Sequence, residues 1–423
     1  MTHTAGHSCV TPPVNSMPVE RVRVAIRHRP AWIVLLVILL QACGVIQERN
    51  APPQDLVDEA YIPGLNHSTA RFWGDAPPPY TQELVSFSDA EVRESFPLIY
   101  GREHHLLAIS GGGAEGAFGA GLLAGWTASG TRPEFTMVTG ISVGGLIAPF
   151  AFLGSEYDEQ LKELFTTSSS KDIFVKNPLS RIRNATALKD TAPLRALLDK
   201  YITDEMLEKI AQQHRGGRRL LIGTANIDAL RPVTWSIGMI ADSGVPGAGD
   251  LIRDIMLASA SIPVNFPPVS IEVEAGGRRY EELHVDGGIV SQVFLYPLGL
   301  DWRRLEEKLA VKGTPQVYLI RNSMMDPRWV ATERKLITIG VRSLYSLIRS
   351  QGLGDVYKIF LGAKRDGLDF NLAYIPRDFN AVPNEAFDME YMNKLFELGY
   401  NMAKQGYPWE ETPPGLYIGP EHR

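Results

Sequence analysis

The sequence predicts an α/β protein, a three-layer α/β/α sandwich with a mainly parallel central sheet. Three observations predict it. From about residue 104 onward, short β-prone apolar runs alternate with longer runs of helical periodicity; parallel strands joined by crossover helices read this way. Two of those strands end on glycine-rich turns, Gly111-Gly112-Gly113-Ala114-Glu115-Gly116 and Gly140-Ile141-Ser142-Val143-Gly144, each leading into an apolar helical run. The chain is 44% hydrophobic and 21% charged over 423 residues, enough apolar material for a large core.

The first hundred residues stand apart from that pattern. Arg21, Arg23, Arg27 and Arg29 precede the apolar run Trp32–Leu40, which is shorter than the roughly 20 residues that span a bilayer. A basic segment, a short apolar segment and a small-residue site are the parts of a secretory signal. Leu40-Gln41-Ala42-Cys43 resembles a bacterial lipobox. That resemblance implies cleavage before Cys43 and lipid attachment at Cys43, with an uncleaved membrane anchor as the alternative. Gly44 resembles an outer-membrane sorting residue, so the expected address is the bacterial cell envelope, lipid-anchored at the outer membrane. Met17, closer to the arginines than Met1, is the expected start. Residues 1–42 are then a lipoprotein signal peptide. Residues 43–100 are a Pro-rich tether that drapes over the domain, with Arg71-Phe72-Trp73-Gly74-Asp75 as a docking point.

Composition narrows the chemistry. The net charge is −6 with no long basic run, so nucleic acid is not an expected partner. Cys9 and Cys43 are the only cysteines, and neither a zinc spacing nor His-Glu-x-x-His occurs; no metal and no cofactor are expected. The adjacent pair His104-His105 reads as a strand edge.

The domain opens with a buried strand over 105–109, followed by the glycine-rich loop and a small-residue helix over 118–126. Such a loop exposes successive backbone N–H groups at a positive helix end. Gly111-x-Gly113-x-x-Gly116 fits a dinucleotide phosphate cradle, which expects an acidic residue at the end of the second strand. That strand, 135–139, runs instead into the Gly140–Gly144 turn around Ser142. A serine lifted on a tight strand–helix turn suits an oxyanion hole in the neighbouring loop. Helical periodicity follows over 156–165 and 193–202. Between them, Lys171 to Lys189 interleaves cations with Ile173, Phe174, Val175, Leu179 and Ile182. That segment reads either as a cap on an anionic lipid surface or pocket, or as a solvated connection.

Strands are expected at 219–226 and 231–237, and a helix at 250–258 ending in Ala258-Ser259-Ala260-Ser261-Ile262-Pro263. The run 280–286 brings Asp286 to a strand end with Gly287 and Gly288 behind it. The run 316–320 reads as the last central strand. Helices over 337–349 and 387–404 flank a strand over 368–375.

The glycine loop, the serine turn, the Ala258–Pro263 segment with Phe266-Pro267-Pro268-Val269, and Asp286-Gly287-Gly288 occur in that order. Together they resemble the patatin-like phospholipase family over roughly residues 104–320. The resemblance implies a patatin-like hydrolase domain over 101–423, with residues 321–423 as a C-terminal helical extension. It implies a Ser–Asp dyad, with Ser142 as nucleophile, Asp286 as proton acceptor and Gly111, Gly112 and Gly113 as oxyanion donors. Gly116, Gly140, Gly144, Gly287 and Gly288 are the remaining motif glycines. The implied activity is acyl-ester hydrolysis of lipids or phospholipids, without an obligatory metal. One departure stands out: the family carries Arg or Lys where this chain has Glu115. A histidine base would have to come from His214, His284 or His422, the only histidines after Ser142. Of these, only His284 shares a strand side with Asp286. A general carboxylesterase or thioesterase, and an inactive envelope lipoprotein of the same fold, are the alternatives.

Overall fold

The structure, a computed structural model, describes residues 49–65, 70–176, 186–327 and 329–416. The signal-like segment and Cys43 lie outside the described residues, as do residues 177–185 of the basic–apolar segment.

Nine strands form the main sheet: β1 (Arg71–Trp73), β2 (His105–Ile109), β3 (Met137–Ile141), β4 (Arg219–Asn226), β5 (Arg231–Ser236), β6 (Val269–Ala275), β7 (Arg278–Asp286), β8 (Gln316–Arg321) and β9 (Asp369–Tyr374). The order is β1-β5-β4-β3-β2-β8-β9, with β7 also paired to β4 and β6 to β7. The stretch β9-β8-β2-β3-β4 is parallel throughout. β5, β1, β7 and β6 join antiparallel. The sheet is thus mainly parallel, as the alternating pattern predicts, but one end is built from hairpins. Sequence reasoning does not anticipate β6, whose alternating Val269-Ser270-Ile271-Glu272-Val273-Glu274 pairs with β7. β8 is the last central strand, and β9, expected over 368–375, lies outside it at the sheet edge.

The described residues from Arg49 onward form one compact unit. Arg71–Trp73, expected as a docking point, is an edge strand in register with Val233–Trp235. Its Arg71 side chain is buried.

β2 shows why the parallel strands are continuously apolar. Leu106 and Ala108 face one core cluster, with Val317, Leu319 and Phe370; Leu107 and Ile109 face the other, with Phe118, Val138 and Phe150. Both faces are covered, so the period-2 alternation of side chains buries every position. Five helices matter for the site: α1 (Gly116–Ala128), α2 (Val143–Leu153), α3 (Ala248–Ser259), α4 (Leu336–Asp366) and α5 (Met389–Lys404). The small residues of α1 have a packing cause. A Cβ on Gly121 or Gly125 would lie 2.0 or 2.2 Å from the carbonyl oxygens of Phe396 and Tyr400, so α5 lies backbone against backbone on α1. α4 is much longer than its expected span of 337–349. Its C-terminal half supplies Val356, Ile359, Phe360 and Ala363 to the core. Among the described residues no helix is long and apolar enough to cross a membrane.

Candidate active site

Ser142 occupies the turn between β3 and α2. Its backbone has φ 55° and ψ −129°, a conformation that strains a non-glycine residue. Packing enforces the turn. A Cβ on Gly140 would sit 2.3 Å from the Gly144 carbonyl oxygen, and one on Gly144 would sit 2.2 Å from that of Ile109. Only glycine fits at these two positions without a backbone clash. The Ser142 N–H donates to Ser259 Oγ at 2.9 Å, and Ser259 Oγ–H donates to the Gly223 carbonyl at 2.7 Å. Ser259, at the end of α3, thus ties the serine turn to β4. Two residues on, the Ser261 carbonyl accepts from the Asp286 N–H at 2.9 Å. One helix end therefore positions both residues, a role the segment's sequence alone does not reveal.

Asp286 ends β7, opposite Thr224 of β4. Its carboxyl is buried, hydrogen-bonds the Ser142 side chain and accepts from the Gly288 N–H at 2.7 Å. Burial pushes its pKa up to about 7, against the opposing pull of those two hydrogen bonds. Read as an ordinary carboxylate, Asp286 is a weak base; its environment raises it to the range where a base works best at neutral pH.

The glycine loop lies against the serine: a Cβ on Gly111 would be 3.1 Å from Ser142 Cβ. Its three N–H groups are not equivalent. Gly111 N–H donates to the Gln292 carbonyl at 3.1 Å, so it is occupied. The N–H groups of Gly112 and Gly113 meet no acceptor among the described residues. Of the three donors expected, two remain available. Asn322, just past β8, clamps the loop: its N–H donates to Ser110 Oγ at 2.9 Å, its side-chain amide donates to the Ser110 carbonyl at 2.9 Å, and its Oδ1 accepts from the Gly119 N–H at 3.1 Å. Nothing in the local sequence marks Asn322, because its partners lie on other elements.

Glu115 sits at the start of α1, where a negative charge is favourable, and accepts from Tyr391 Oη at 3.1 Å. Arg321, the last residue of β8, is fully buried on the α4 side; its guanidinium makes no hydrogen bond among the described residues. Burial pushes its pKa down to about 10, so it stays charged at neutral pH.

His284 is not placed to act on Ser142. It is fully buried, with Nδ1 2.9 Å from Thr224 Oγ1 and Nε2 3.0 Å from Glu282 Oε2. Glu282 also receives a bidentate pair from Arg71, at 3.0 and 2.6 Å. Burial pushes the imidazole's pKa down despite the pull of Glu282, so it is neutral.

A narrow apolar cleft opens beside the turn, lined by Val143, Leu146, Phe165, Ile173, Leu194 and Phe387. A second apolar cleft, lined by Phe72, Tyr80, Leu106 and Met137 among others, lies at the strands' N-terminal ends, away from Ser142. In open α/β sheets the carboxyl ends of the strands carry the ligand, which favours the first.

Residues 107–298 match the family model of patatin-like phospholipase. Such a domain supports lipid acyl hydrolase activity in general. The crystal structure of VipD from Legionella pneumophila is a structural neighbour at 13% identity and a TM-score of 0.34, covering 72% of this chain. The match spans 66% of that chain, just under two thirds of its length. No curated protein matches the sequence.

Proposed function

We propose that this protein is a serine acyl hydrolase that cleaves acyl esters of lipids, phospholipids included, through a Ser142–Asp286 dyad. The observation that carries the reading is a serine on a strained turn, hydrogen-bonded to a buried carboxyl with a pKa of about 7. Ser142 Oγ attacks the ester carbonyl carbon, and its proton passes to the Asp286 carboxylate. The carbonyl electron pair moves onto oxygen, where the Gly112 and Gly113 N–H groups hold it. Collapse expels the alcohol, which takes the proton from Asp286. Water then attacks the acyl-Ser142 ester and gives a proton to Asp286. A second collapse returns that proton to Ser142 Oγ and releases the carboxylic acid. The apolar cleft beside Val143 receives the acyl chain.

The test is hydrolysis of short acyl esters by the wild type and by Ser142→Ala and Asp286→Asn, with fluorophosphonate labelling of Ser142. The wild type is expected to turn over and to label, and both variants to lose turnover. Full activity in Asp286→Asn would end the dyad reading, and failure of Ser142 to label would point to an inactive fold.

A general carboxylesterase or thioesterase is the second reading, favoured by one observation: an acidic side chain, Glu115, stands beside the glycine loop. Profiling over head group and chain length separates the two. The proposal also keeps lipid attachment at Cys43 in a bacterial envelope. Incorporation of labelled palmitate that survives Cys43→Ser would remove it.

A further inference from the structure

The two halves of α4 are built differently. From Gly352 onward, the helix buries Gly352, Asp355, Val356, Ile359 and Phe360 at a three-to-four-residue spacing, as a helix on a core does. From Trp329 to Gln351 no described residue is buried, although Leu336, Ile339, Val341, Leu344, Tyr345, Leu347 and Ile348 make this half strongly apolar. Leu336, Ile339, Ser343 and Leu347 share one face by their spacing; Leu336 is 88% exposed and Leu347 68%. Trp329, just before the helix, is 86% exposed. Isolated exposed apolar residues need no account, but a contiguous stripe marks an interaction surface.

Two observations say what covers it. The first is position. Ile348 Cγ2 approaches Gly288, and Tyr345 is close enough to feel the Asp286 charge, so the exposed half stands beside the candidate site. The second is charge. Residues 329–350 hold Arg334, Lys335, Arg342 and Arg349 against the single acid Glu333, a net +3 in a chain of net −6. Arg349 turns inward to the Met325 carbonyl at 2.5 Å, and Lys335 pairs with Glu333 at 2.6 Å, while Arg334, just before the helix, is exposed. Apolar side chains, a tryptophan and cations on one exposed helix are the composition that seats in a bilayer interface. A second copy of the chain fits less well, because facing stripes would bring like charges together.

We propose that residues 329–350 dock on an anionic lipid surface and hold it beside Ser142. The inference rests on the reading of a lipid ester as substrate. The stripe enters the headgroup–acyl boundary, the cations meet anionic headgroups, and the ester is presented where Ile348 borders Gly288.

The experiment compares the full chain with the triple variant Leu336→Ser, Ile339→Ser, Leu347→Ser, whose positions are exposed, and with Arg334→Glu. Neutral phosphatidylcholine vesicles and vesicles containing phosphatidylglycerol are the probes. Emission from Trp329, isolated by difference against Trp329→Phe, is expected to shift to the blue on the anionic vesicles. The triple variant should bind them about tenfold or more weakly, since membrane affinity scales with buried apolar area. Arg334→Glu should reduce the preference for anionic over neutral vesicles. On a short water-soluble ester all of these variants should match the wild type, and on ester in vesicles the triple variant should fall with its binding. Unchanged vesicle binding and vesicle turnover in the triple variant would overturn the proposal. So would a concentration-dependent dimer abolished by the triple variant with no Trp329 shift, which would make the stripe a contact between copies. If the wild type cleaves no ester at all, the hydrolase reading fails, but the Trp329 signal still decides the docking.

Discussion

Glu282 and Asp286 stand four residues apart on β7, both buried, and their carboxyls are driven in opposite directions. Burial pushes both up. At Glu282 the hydrogen bond from His284 and the charge of Arg71 outweigh it, holding the carboxyl below its usual range. At Asp286 only a hydroxyl and one backbone N–H oppose burial, and the pKa settles near 7. The difference is a cation. With one, the carboxylate is a fixed ion in a closed network: Arg71 to Glu282, Glu282 to neutral His284, His284 to Thr224, and Trp235 Nε1–H to Thr224 Oγ1 at 2.8 Å. That network pins the edge strand β1 to the sheet. Without a cation, the carboxyl can take up and release a proton at neutral pH, as a base requires.

The sharpest way to break the comparison is to make the two acids inert in turn. Asp286→Asn is expected to cost about 10³-fold or more in kcat, the scale seen when a member of a catalytic unit is removed. In the wild type, kcat/KM should rise with pH through about 7 and level off above it, because the base must be ionised. Stability should run the other way. Native Asp286 keeps its proton to about pH 7 while the unfolded chain releases it near its ordinary value. The native state therefore holds more protons across that window, and stability falls as pH rises through it. Denaturant titrations from pH 4 to 8 should lose that slope in Asp286→Asn.

Arg71→Ala leaves Glu282 ionised and unpaired inside the protein. The expected cost is about 3–5 kcal/mol in chemical denaturation. A loss below about 1 kcal/mol would mean that His284 takes the proton and carries the charge instead. Arg321 is the converse case, a buried cation with no carboxylate bonded to it among the described residues. Arg321→Met should leave stability unchanged or raise it by about 1–4 kcal/mol, the outcome for replacing buried charge with packed apolar groups; clear destabilisation would show that the guanidinium is structurally required. Ser259→Ala has the smallest expected effect. It strips the Ser142 N–H of its acceptor, worth about 1–3 kcal/mol for a buried donor left unmade. The lower stability should come with a lower kcat, because the strained turn loses its tie to β4.

Much of this was legible in the residues themselves. The strands over 105–109, 219–226 and 316–320 and both glycine-rich turns lie where local pattern places them. Ser142 and Asp286, distant in the chain, come together as the motifs imply. Arg71-Phe72-Trp73 was not read as a strand, because it becomes one only by pairing with β5. α4 was read too short, because its C-terminal half takes its apolar face from the core it meets.

By itself, the sequence determined the order of elements, the turn that strains Ser142 and the strand end that carries Asp286. Each depends on neighbours within a few residues, and steric rules act at that range. Only the tertiary structure decided that Gly111 spends its N–H on Gln292, that His284 is locked between Thr224 and Glu282, and that Asp286 holds its proton to about pH 7. Hydrogen-bond partners and desolvation come from whatever the fold brings alongside, and no local pattern encodes them.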